Sequence, residues 1–181
     1  MAAIAVLFAE GFEEIEATTI VDVLRRAEYE VIMVGVTELQ VMGAHGICIA
    51  MDRLLADVDA AALQAVVLPG GMPGSTNLAA SEPVTTLLRE SAAAGKLVAA
   101  ICAAPIALQA AGLLAGKTVT SYPSVAEKLH DVRHTGAPVE VDGRIVTGSG
   151  AGTALLFSLQ LVRELGKPDV ADALATGMLV Q

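Results

Sequence analysis

Apolar positions along this chain fall into two patterns. Residues 4–9 (IAVLFA), 30–36 (EVIMVGV), 64–71 (QAVVLPGG) and 97–102 (LVAAIC) are short, nearly unbroken runs rich in Val, Ile, Leu and Ala, closed by Gly, Pro or Cys. That is the pattern of strands buried on both faces of a parallel sheet. Between them the apolar spacing becomes helical. In EEIEATTIVDVLRRAE, Ile15, Thr19 and Val23 fall on one face with Ile20 and Leu24 beside it.

The same spacing predicts helices over residues 82–94, 104–116 (closed by Gly116), 152–166 and 168–177. Further strands are expected over 46–52 (GICIAMD), with Cys48 as a core residue, and over 118–122 (TVTSY). Asp142-Gly143 within VEVDGRIVTG signals a hairpin. Regular alternation of strand and helix argues for an α/β fold, a doubly wound and mainly parallel sheet inside a three-layer sandwich. Residues 1–181 read as one domain, with no linker, repeat or low-complexity tail.

Composition narrows the function. Hydrophobic residues make up 54% of the 181, yet no run approaches the ~18 residues of a membrane span. With 11 basic residues against 20 acidic ones, the net charge of −9 disfavours nucleic acid and anionic membrane as partners. The opening MAAIAVLFAEGFEE lacks the basic start of a signal peptide, so a cytoplasmic location and free thiols at Cys48 and Cys102 are expected. No Cys-x-x-Cys or His-x-x-x-His spacing suggests a metal, and no glycine motif suggests a nucleotide.

In open α/β sheets, ligands bind beyond the carboxyl ends of the strands. The segments there are AEGFEEIE, PGGMPGST, CAAP, YPS and GSGAGT, several of them rich in small residues that let backbone N–H groups approach an anionic centre. Cys102 ends a strand and precedes a helix with Pro105 in its first turn, where the helix dipole would lower a thiol pKa. Ala100 and Ala104 flank it as small residues flank a nucleophile elbow. A buried, inert thiol fits that pattern equally well.

A nucleophilic cysteine needs a proton partner. The three histidines are His45, His130 and His134, and the last two lie in a polar stretch, EKLHDVRHTG, that reads as solvated loop. A Cys-His-Asp triad is unsupported. Carboxylates are available instead at Glu13, Glu14 and Glu16, where acidic residues also simply favour a helix start. Glu16, four residues before Ile20, would point partly inward, and inward carboxyls cluster at functional sites.

Taken together and in this order, GFEEIEATTIVDVLRRA, VVLPGGMPGSTNL, AAICAAP and GSGAGTA resemble the ThiJ/PfpI superfamily, and within it the branch of the Parkinsonism-associated protein deglycase. The resemblance implies a flavodoxin-like sandwich, a homodimer, a reactive cysteine at Cys102 and a glutamate hydrogen-bonded to it at Glu16. It also implies an oxyanion site from the backbone N–H groups of Gly70, Gly71 and Ala103, with Gly150 among the substrate-binding positions. Three departures matter. Ala103 replaces the His of the amidase branch, Tyr122 stands where the deglycase branch often has a His before Pro, and His45 stands where relatives often carry an Arg that reaches across the dimer interface.

The activity implied is a cofactor-free one of the glyoxalase III or deglycase type, acting on methylglyoxal, glyoxal or their early glycation adducts. The alternatives are an oxidative-stress sensor or chaperone that works through oxidation of Cys102, and another small-molecule lyase, hydratase or amidase of the same superfamily.

Overall fold

The computed structural model describes residues 2–180. In chain order the elements are β1 (Ala3–Phe8), α1 (Glu14–Arg26), β2 (Val31–Gly35), β3 (Gln40–Met42), β4 (Cys48–Ala50), β5 (Arg53–Leu54), β6 (Leu63–Leu68), α2 (Gly74–Ala80), α3 (Glu82–Ala93), β7 (Leu97–Ile101), α4 (Pro105–Ala110), β8 (Thr118–Val119), β9 (Arg133–His134), β10 (Val139–Asp142), β11 (Ile145–Gly148), α5 (Ala154–Glu164) and α6 (Pro168–Gly177). The main sheet has seven strands in the order β10-β11-β7-β6-β1-β2-β5, parallel throughout except for β10.

Strand periodicity divides the core in two. In β1, Ile4, Val6 and Phe8 face α1, α5 and α6, while Ala3, Ala5 and Leu7 face α2, α3 and α4. Because both faces are covered, these strands read as continuous apolar runs rather than alternating ones. The result is a flavodoxin-like three-layer α/β/α sandwich whose sheet is mainly parallel and doubly wound.

Register sets up the site. Leu68 pairs with Ala100, and Ile101 with Gly148, so β6, β7 and β11 end nearly flush. The chain winds one way from β1 to β2 and the other way from β6 through β7 to β11. The strand order therefore reverses between β1 and β6, and the loops after β1, β6 and β7 open at that switch point.

Several elements differ from the sequence expectation. Residues 74–80 form α2, where the sequence pattern predicts no element. The helix expected to run to Gly116 ends at Ala110, because Gly112 takes a left-handed φ of +74° and turns the chain. Of 118–122 only β8 is strand, and it pairs with β9 in a separate two-stranded sheet. The hairpin loop is Gly143-Arg144, since Asp142 already pairs with Ile145.

On α1 the buried stripe is Glu16, Ile20 and Leu24, with Ala17 and Val23 beside it. Ile15, one step of roughly 100° away, is 58% exposed. Cys48 is exposed as well, because β3 and β4 form a two-stranded arm whose inner face, Val41 and Ile49, packs on the core of the main sheet, while Met42 and Cys48 pair on its outer face.

Candidate active site

Gly70 lies in the turn two residues after β6, between the two chemically interesting side chains. A Cβ at that position would sit 2.6 Å from Cys102 Cβ and 2.7 Å from Glu16 Oε2, so only glycine allows thiol and carboxyl to flank the turn this closely. The Gly70 N–H donates to Glu16 Oε2 at 2.8 Å. That amide holds the carboxyl and is not free to serve an oxyanion. Glu13 N–H donates to Gly70 O at 2.9 Å, which ties the start of α1 to the same turn.

Close backbone approach recurs beneath the site. A Cβ on Gly11 would meet Pro73 at 2.4 Å, and one on Gly74 would meet the Phe12 nitrogen at 2.7 Å. The β1–α1 and β6–α2 loops thus interlock through glycines, with Phe12 packed edge-on against Phe8 at 4.9 Å between ring centroids.

Cys102 occupies the elbow itself. Its φ of +62° is a left-handed conformation that costs about 1 kcal/mol for a side-chain-bearing residue. The surroundings hold it there: Cys102 N–H donates to Gly148 O at 2.9 Å and Cys102 O accepts from Tyr122 N–H at 2.8 Å. Ala100 and Ala104 are fully buried on either side and leave no room for larger residues. The turn presents Sγ to the N–H groups of Gly71 and Ala103, both of which act on the sulfur.

Burial raises the Glu16 pKa from 4.5 to about 7, opposed by the Cys102 thiol and the Gly70 amide and assisted by the charge of Glu13. Burial and then the Glu16 carboxylate push the Cys102 thiol up to about 12, against the pull of the two amides. A thiol lowered by the helix dipole is therefore not what the site holds. The helix after the elbow, α4, is short, and desolvation beside a carboxylate outweighs it. Glu16 Oε1 is buried without a partner of hydrogen-bond geometry, and its reactive neighbour is the thiol. Two negative charges side by side in such a place are strongly disfavoured, so thiol and carboxyl behave as a pair that holds two protons below about pH 7 and keeps one between them above it.

The DJ-1/PfpI family model matches residues 2–164. The chain belongs to that family. It is 38% identical to the Drosophila melanogaster protein dj-1beta over 178 residues, covering 97% of this chain and 95% of that one. The crystal structure of Drosophila melanogaster DJ-1beta superposes with a TM-score of 0.95 over 100% of both chains. A Caenorhabditis elegans relative described as a glutathione-independent glyoxalase is 33% identical over 174 residues, 95% of this chain and 92% of its own. The chain spans less than half of two Arabidopsis thaliana DJ-1 homologues, 45% of one and 36% of the other.

The other candidates in this DJ-1/PfpI chain lie around the pair. A Cβ at Gly150 would stand 4.0 Å from Cys102 Sγ and 3.5 Å from the Tyr122 ring, so Gly150 and Tyr122 wall the space above the sulfur. Tyr122 is half exposed. His45 does not reach the thiol of its own chain. Its Nδ1 lies 2.9 Å from Glu14 Oε2 and 3.6 Å from Glu13 Oε2, and its N–H donates to Glu14 Oε1 at 2.7 Å. The Glu14 bond raises the His45 pKa. Burial works against the charge on Glu14, but the bonds from His45 and from Ile47 N–H outweigh it and lower its pKa.

Glu14, one of the three carboxylates at the helix start, has a structural task that the sequence does not reveal. It fastens the β3–β4 turn to the first turn of α1, two residues before Glu16. A usable signal was present: an acidic pair at a helix start and a histidine in a glycine-flanked turn, AHG. Glu13, Glu14 and His45 also bring three donor atoms within 4.8 Å of one another, a grouping that spacing along the chain could not reveal. His134, expected in a solvated loop, lies in β9 with Nε2 2.9 Å from Ser121 Oγ. His130 is exposed, as its polar neighbourhood suggests. Among the described residues no helix is long and apolar enough to cross a membrane.

Proposed function

We propose that this chain converts methylglyoxal or glyoxal into lactate or glycolate without glutathione, with Cys102 as nucleophile and Glu16 as proton shuttle. Early adducts of the same aldehydes on amino groups are the second substrate class. The observation that carries the reading is the packing of a thiol and a buried carboxyl on either side of Gly70, with the Gly71 and Ala103 amides at the sulfur. Kinship with a relative described as a glutathione-independent glyoxalase supports it.

The single proton of the pair makes the chemistry balance. With the proton on Glu16, the thiolate attacks the aldehyde carbon, and the new oxyanion takes that proton to give a hemithioacetal. Glu16 is then a carboxylate and removes the hydrogen on the former aldehyde carbon. The enediol so formed is reprotonated by Glu16 at the neighbouring carbon, with the amides stabilising the oxyanion that develops. The product is a 2-hydroxy thioester, oxidised at one carbon and reduced at the next, and water releases the acid and the thiol. Water is the one co-reactant.

Mass-balanced lactate formation tests this proposal. Purified protein is expected to form one lactate per methylglyoxal consumed, and Cys102→Ala to form none. Loss of methylglyoxal without lactate, or equal lactate from the variant, would overturn it. Oxidation of the same thiol to a sulfinate would use the same amides and carboxyl, and gain of two oxygens at Cys102 ahead of the exposed Met72 under mild peroxide would mark a sensor.

We also propose that a second copy of the chain covers the arm beside the site. Ile15, Met42 and Ile47 are large, apolar and exposed, and they sit where Glu14 joins the β3–β4 turn to α1. Sedimentation is expected to give a dimer, and Ile47→Glu a monomer. A monomeric parent protein would refute this.

A further inference from the structure

Charge is distributed unevenly between the two ends of the sheet. Residues 9–16, 36–51, 69–76, 102–105, 122–124 and 148–153, which make the carboxyl-end loops and the β3–β4 arm, contain neither Lys nor Arg. They carry Glu10, Glu13, Glu14, Glu16 and Glu38. Five of the eleven basic residues lie at the opposite end. Lys96 immediately precedes β7, Arg144 precedes β11 and Lys167 precedes α6, while Arg25 and Arg26 close α1 after it has returned to that edge.

Of the acidic groups, Glu13 bears most directly on the site. Its backbone is bonded to Gly70, its side chain is only 16% exposed, and its nearest cationic neighbour is the exposed His45 ring, 3.6 Å away and already bonded to Glu14. Glu16 adds a buried carboxyl that interacts with the reacting thiol and is held by the Gly70 N–H. A cleft lined by one sign of charge with low-dielectric walls concentrates ligands of the opposite sign and repels those of its own.

We propose that the carbonyl substrate is neutral or carried on a cationic group, and that carbonyl compounds bearing a carboxylate near the reacting carbon are rejected, with Glu13 as the specificity-determining residue. The inference rests on the proposed function for the identity of the reaction, but its electrostatic content stands apart from turnover. Within that function it selects the free dicarbonyls, and adducts on ammonium or guanidinium groups, over 2-oxo acids.

The test measures the rate at which Cys102 reacts with three methanethiosulfonates that share one reactive group and carry a trimethylammonium, a methyl or a sulfonate. It uses the full chain with Cys48→Ser to remove the exposed thiol, and each rate is divided by that of free cysteine. At low salt the cationic reagent is expected to outpace the anionic one by about tenfold or more. The ratio is expected to fall towards one near ~1 M salt, where the screening length is about 3 Å. Glu13→Gln is expected to reduce the ratio several-fold and Glu13→Asp to retain it.

A ratio near one at low salt, or a faster anion, would overturn the inference, as would a ratio indifferent to Glu13→Gln. The same order is expected in kcat/KM for phenylglyoxals bearing a para ammonium, hydrogen or carboxylate. Failure to turn over any of the three would count against the proposed function, while the thiosulfonate rates would still decide the charge inference.

Discussion

The two cysteines of this chain sit in regions that differ in nearly every respect. Cys48 is exposed on a two-stranded arm. Cys102 is partly buried in a left-handed elbow at the switch point of the main sheet, against a buried carboxyl and two amides. Solvent access favours the first as a thiol that any reagent can reach. Catalysis needs the second, because a proton partner and fixed donors exist only there. Exposure and reactivity of the useful kind are separate properties, and the strained backbone marks the one that is organised.

Turnover is expected to separate the two most widely. Cys102→Ala should lower kcat/KM for methylglyoxal by about 10³-fold or more, and Cys48→Ser should leave it within about twofold. Comparable losses from both would erase the distinction. Glycines extend the contrast. Gly70→Ala forces a Cβ to within 2.7 Å of both catalytic groups and should cost about 100-fold in kcat and on the order of 1–3 kcal/mol in stability. Gly152→Ala, with nothing within 4 Å, should change neither. Thermal melts and kinetics on the two variants check this.

The buried carboxyl also has a stability signature. Glu16 titrates at about 7 in the folded chain against 4.5 ordinarily. Because the folded value is the higher, neutral Glu16 favours the fold fully below about pH 4.5, and that contribution is lost as pH rises through about 7. Glu16→Gln should therefore gain up to about 3 kcal/mol over the parent at pH 8 and little at pH 4, seen in denaturant midpoints. A gain that does not change with pH would contradict the assignment. The smallest effect is expected at Tyr122→Phe. The backbone bond to Cys102 O survives that change, and kcat/KM should stay within about threefold.

Much of the architecture was legible in the chain because period and burial leave marks on residue type. Doubly covered strands must be apolar throughout, and α1, α3, α5 and α6 carry their apolar stripes openly. What escaped detection depends on packing between distant segments. Cys48 reads as core because Ile47, Ile49 and Met51 surround it, yet the arm turns Ile49 and Val41 to the core and leaves Cys48 on the outer face. Helix α2 is hidden by glycines that the interlocking loops require for close approach. At the site, Cys102 and Glu16 could be singled out by position, but the direction of the thiol's pKa could not. That depends first on burial of the thiol and then on a carboxylate 86 residues earlier in the chain, a balance set only in three dimensions.

The central claim is that Cys102 and Glu16 share one proton, and the pH dependence of Cys102 alkylation by iodoacetamide in the Cys48→Ser chain tests it most directly. The account predicts a rate that rises through about pH 7 to a plateau, following the carboxyl rather than a thiol's usual 9.0, and a midpoint that moves upward in Glu16→Gln. A single rise near 9.0 that is unchanged by Glu16→Gln would contradict it.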